Sequence, residues 1–101
     1  MIFLGSASFH KIASGSCLSK GMKSIESKKK CESAAESLKL VDIEALDKQI
    51  DGRPHGCIYQ TGTDWLGWNE PIGNENPDVP CGTQPSNSAV TYDCLCEGMN
   101  D

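Results

Sequence analysis

Three sets of residues in this chain have types and spacings that could do chemistry. They are six cysteines, two tryptophans and a short run rich in asparagine and glutamate. The cysteines are Cys17, Cys31, Cys57, Cys81, Cys94 and Cys96. An even set in so short a chain reads as a disulfide framework. A zinc site would ask for paired ligands such as Cys-x-x-Cys facing a second pair. Here the only close pair is Cys94-Leu95-Cys96, and His10 and His55 stand alone. Cysteines held in bridges supply no thiolate, and no Gly-x-Ser-x-Gly elbow occurs. The spacing therefore points away from nucleophilic catalysis, and no enzyme is expected.

Asn69, Glu70, Asn74, Glu75, Asn76 and Asp78 offer oxygen ligands of the kind calcium takes. Their alternation does not follow the Asp-x-Asp-x-Asp-Gly calcium loop, and the same residues make ordinary surface loops. No metal and no cofactor is expected. Trp65 and Trp68 would point to opposite faces of a regular strand. A bulge at Gly67 would instead bring both rings into the core. An outward indole is an interface candidate, because tryptophan is enriched where binding energy concentrates. The expected binding surface is Trp65, Trp68, Asn69, Glu70, Asn74 and Asn76, on a hairpin and the loop after it.

The elements that would position these residues follow from local pattern. Phe9 and Ile12 suit a short first strand. Ser27 is placed as an N-cap for a helix through Cys31, Ala34, Ala35, Leu38 and Val41, whose i, i+3, i+4, i+7 spacing makes one apolar stripe. Lys28, Lys29 and Lys30 in its first turn oppose the helix dipole, and the sequence offers no reason for them. Ile43, Leu46 and Ile50 suggest a second helical segment closed by Gly52. Arg53-Pro54-His55-Gly56 reads as a turn, residues 57–60 as a strand, 61–64 as a hairpin turn and 65–69 as the returning strand. A long loop over 70–88 carries Pro71, Pro77, Pro80 and Pro85 and is pinned by Cys81, and 89–96 is the last strand. The reading is α+β: a small disulfide-stapled domain, with one main helix packed on a short antiparallel sheet. Residues 9–97 form the domain, between a flexible 1–8 and a flexible tail 98–101.

With 101 residues and 38% apolar content, the core is modest and cross-links would matter. The net charge is −5, with the only basic run at Lys28-Lys29-Lys30, so nucleic acid is not an expected partner. Met1-Ile2-Phe3-Leu4 ends at Gly5, too short for a signal h-region, and no apolar run approaches a membrane span. Disulfides nonetheless call for an oxidising, extracytoplasmic place, so the chain reads as a processed product or a piece of a longer secreted protein.

Four stretches carry a resemblance: Ser14-Gly15-Ser16-Cys17, Lys30-Cys31-Glu32-Ser33-Ala34-Ala35, Arg53-Pro54-His55-Gly56-Cys57-Ile58-Tyr59 and Trp65-Leu66-Gly67-Trp68-Asn69. Over roughly residues 9–96 they resemble an uncharacterised cysteine-containing domain that recurs in predicted secreted proteins of dinoflagellates and other marine algae. The resemblance implies an algal extracytoplasmic module and carries over no active site. A helix cysteine facing a strand cysteine is similar, more faintly, to the PAN/apple domain. The tail Tyr92-Asp93-Cys94-Leu95-Cys96-Glu97 is similar to the close of a C-type lectin domain, but this chain is short for one and lacks its second tryptophan block.

These readings converge on a non-catalytic module that docks another protein. It would be secreted, at the cell surface, or an accessory subunit on the lumen side of a membrane complex such as a photosystem in the thylakoid. The alternative is a carbohydrate-binding module, with or without calcium. For the bridges, Cys31 on the helix is expected to pair with Cys57 under it. Cys94 and Cys96, on one face of a strand, are expected to go to Cys17 and Cys81 in either order.

Overall fold

The last strand organises the fold. In a computed structural model describing residues 8–50, 52–70, 79–84 and 89–98, six strands and one α-helix are present among the described residues. They are β1 (Phe9–Ile12), β2 (Met22–Ser24), α1 (Lys28–Ser37), β3 (Leu46–Lys48), β4 (Gly56–Thr61), β5 (Trp65–Asn69) and β6 (Thr91–Gly98). The sheet order is β1-β6-β4-β5-β3, with β2 also paired to β6. Strand β4 runs beside Thr91–Cys94 and β2 beside Cys96–Gly98, while β1 pairs with Cys94–Glu97. Gly98 N donates to Ser8 O, so sheet bonding reaches one residue beyond the expected domain at each end.

Helix α1 starts where the sequence says it should. The Ser27 hydroxyl accepts from Lys30 N at 3.1 Å, satisfying a donor that the first turn leaves open. The small residues Cys31, Ala34 and Ala35 face the sheet and are fully buried, so the helix lies close on it. They join Ile25, Ala45, Cys57, Tyr59, Leu66 and Leu95 in the main core, with Phe9, Leu38, Leu40 and Trp68 packed around it. The lysine run also has its explanation. Lys28 reaches Asp47 at 3.2 Å and Lys30 reaches Glu97 at 3.1 Å, so these cations tie the helix start to β3 and β6.

Three expectations need correction. The helix does not continue to Val41. Lys39 takes a left-handed φ of 58°, Leu40 N donates to Ala35 O and Lys39 N to Glu36 O. That is a Schellman stop with lysine where glycine is usual, so no sequence signal marked it. Val41 is left 81% exposed. The second helical segment is absent, and Gly52 sits in a turn with φ 73°. Side chains take up the backbone groups that a helix would have paired. Asp42 accepts from Glu44 N and Leu66 N, and Glu32 accepts from Ala45 N. The chain held in this way adds β3 parallel to β5, so the sheet is mixed and not purely antiparallel.

All six cysteines are bridged: Cys17–Cys96, Cys31–Cys57 and Cys81–Cys94. The helix-to-strand pair is the expected one, and the other two resolve the order that spacing left open. Cys94 and Cys96 share the sheet face away from the helix, where their bridges pack with Ile12 and Met22. Gly82 is required beside this cluster, because a Cβ there would run into the backbone of Ala13.

Two outcomes test this architecture. Partial reduction with alkylation mapping should recover these three pairs and no Cys94–Cys96 bridge. Replacing Lys39 with Gly should relieve its left-handed backbone. A gain of about 1 kcal/mol is expected, a rise in melting temperature of roughly 4–8 °C by calorimetry. A fall in melting temperature would mean that the helix stop is not the one described.

Candidate functional site

The hairpin of β4 and β5 is in continuous register, from Gly56 opposite Asn69 to Gln60 opposite Trp65. No bulge interrupts it at Gly67, so Trp65 and Trp68 lie on opposite faces. Trp65 faces away from the helix. A Cβ on Gly67 would come within 2.6 Å of the Trp65 ring, so this glycine makes room for the folded-back indole. Trp68 is on the helix side, half-buried against the main core.

Around Trp65 the open face carries a connected cluster. Trp65 meets Tyr92 edge-on, with ring centroids 6.0 Å apart. Lys48 Nζ lies 4.7 Å from the Trp65 ring, and the Arg53 guanidinium carbon lies 5.0 Å from the Tyr92 ring, both close enough for cation–π attraction. Gln60 donates to the Tyr92 hydroxyl at 2.7 Å and accepts from Thr63, which fixes the phenol. Among the described residues neither Lys48 nor Arg53 has a carboxylate within ion-pair distance. Arg53 Nε is buried without a hydrogen-bond partner. Leu46, on the same face of neighbouring β3, is 52% exposed.

On the helix side, Trp68 lines an open groove of about 470 Å³ with Asp47, Lys48, Gln49 and Glu70. A smaller cavity of about 80 Å³ lies beside the bridges, between Ser16, Ser24, Pro54 and His55.

The expected binding residues are therefore divided between places. Trp65 belongs to the open face, and Trp68 and Glu70 belong to the groove. Asn69 is fully buried and structural. Its amide nitrogen donates to Ile50 O and Pro54 O, and its oxygen accepts from Ile50 N at 2.8 Å. These bonds tie Ile50 and Pro54 to β5, and the full burial of Asn69 keeps it from an exposed calcium site. Asn74 and Asn76 lie outside the described residues, as do Glu75 and Asp78. Sequence reasoning missed Tyr92, Arg53, Lys48, Asp47 and Gln49, which come from three separate segments and join the two tryptophans only in the folded sheet.

Every cysteine sulfur is in a bridge, His10 and His55 are both exposed at separate places, and no metal-holding group of three His, Cys, Asp or Glu residues occurs among the described residues. No helix among them is long and apolar enough to cross a membrane. Three bridges in so small a domain fit an oxidising, extracytoplasmic location. No protein-family model, no curated protein and no solved structure matches this chain.

Proposed function

We propose that this chain is a non-catalytic extracytoplasmic module that docks another protein through the sheet face around Trp65. The observation that carries the reading is the assembly of Trp65, Tyr92 and Arg53 on one face. Tryptophan, tyrosine and arginine are the residue types that dominate binding hot spots. Here they are braced by Gln60 and by a cross-linked scaffold, so little side-chain entropy remains to be lost on binding. Lys48 and Arg53, cations over aromatic rings with no ion-pair partner among the described residues, suit a partner that presents carboxylates. The partner is a matrix component or a subunit of a membrane complex, and the module is secreted, at the cell surface or on the lumen side of that membrane. The algal domain that the sequence resembles is in keeping with either place.

Photo-crosslinking in the native material tests this. A crosslinker placed at Leu46 on the open face should give one discrete protein adduct, and one placed at exposed Ser33 on the helix should not. Lys48→Glu or Trp65→Ala should weaken that adduct about 30-fold, the effect of losing one hot-spot contact. Equal adducts from both positions, or none from Leu46, would refute the assignment.

A further inference from the structure

The groove beside Trp68 lies on the other face of the hairpin and shares only Lys48 with the Trp65 surface. We infer that it is a saccharide subsite that takes a neutral pyranose ring against the Trp68 indole, without calcium. Its volume of about 470 Å³ falls within the range of about 300–1,000 Å³ usual for small-ligand sites. Trp68 is anchored because one side of it packs on the core around Leu66 and Cys57. Such a ring offers a flat apolar surface, which suits the C–H face of a sugar.

The other lining groups suit the sugar's edge. Asp47 and Glu70 are acceptors, and the Gln49 amide both donates and accepts. A hydroxyl also donates and accepts, so a ring of hydroxyls can use this mixed set. A purely apolar ligand would strip water from these polar groups and return nothing. The charge selects further. Asp47 and Glu70 bring two carboxylates to the groove while the Lys48 ammonium is turned to Trp65, and the chain as a whole carries −5, so uronates and sulfated sugars meet repulsion.

The groove is also pre-organised. Glu70 N donates to Lys48 O at 3.0 Å, which clamps its two walls together. Asp47 is held by Lys28 at 3.2 Å. Asn69 is buried and bonded to backbone groups, so it does not reach the groove as a calcium ligand.

The test uses the Trp65→Phe protein, in which Trp68 is the only tryptophan, so its fluorescence reports the groove. Neutral gluco-, galacto- and manno-oligosaccharides, a uronate oligosaccharide and a sulfated oligosaccharide are each titrated to about 10 mM. At least one neutral sugar should shift the emission, with the same affinity in calcium and in EDTA. Because Trp68 also supports the core, the binding variants are the exposed Gln49→Ala and Glu70→Gln. Each should weaken that sugar about five-fold, the effect of one hydrogen bond, with the melting temperature unchanged. No response to any neutral sugar, a preference for the acidic sugars, loss of binding in EDTA, or full affinity in both variants would each overturn the inference. None of these outcomes bears on the crosslink from Leu46, which reports the opposite face.

Discussion

Two sulfur bridges leave the same face of β6, from Cys94 and Cys96, and the rest of the structure hangs on them. One returns 13 residues to Cys81 and the other 79 residues to Cys17, so the last strand holds both a late loop and the start of the domain. In the chain-entropy account, closing loops of these sizes is worth about 3 and about 4–5 kcal/mol, though nested bridges do not simply add. Cys31–Cys57 sits inside the longer loop and fastens the helix to the opposite face of the sheet. The bridges also divide the open face. The end near Ile12 and Met22 is covered by sulfur and loop, and at the other end Trp65 is half-exposed beside a buried Tyr92.

The helix side is organised by charge as much as by apolar packing. Asp93 and Glu97 are buried carboxylates on β6, and each is met by a lysine that remains partly in water. Lys11 reaches Asp93 from β1, and Lys23 and Lys30 reach Glu97 from β2 and α1. A buried ion pair adds little net stability, since desolvation offsets the attraction, but removing one partner leaves a stranded charge. The arrangement therefore acts on geometry. It admits one placement of the helix over the sheet and offsets the unfavourable dipole that the lysines meet in the first helical turn.

On this frame the two tryptophans do different things because the strand alternates. Trp65 joins cations and a phenol gathered from β3, β6 and the turn before β4. Trp68 backs on the core and shows its remaining surface to a polar groove. Asn69, next after Trp68, binds the chain itself, and by pinning Ile50 and Pro54 it carries Arg53 to the aromatic pair.

Features that depend on near neighbours were legible in the sequence. The cap at Ser27 pairs with an amide three residues on, the stripe of Cys31, Ala34 and Ala35 follows helical period, and the Trp65–Asn69 strand returns from its turn, although the residues alone left open whether Gly67 bulged. The cysteine count likewise announced three bridges, and a cysteine inside the helix stripe could only meet a strand beneath it. What the sequence could not carry was decided by partners far along the chain. Residues 43–50 have helical spacing, yet Asp42 is bound to Leu66 and Asn69 to Ile50, and those contacts turn the segment into an edge strand. Lys39 stops the helix because Leu40 is needed against the core, a demand that no local propensity records. The candidate surfaces follow the same division. Their aromatic residues stood out as residue types, while their polar partners became visible only once the sheet had brought separate segments side by side, because a binding face is a property of distance in space and not of distance along the chain.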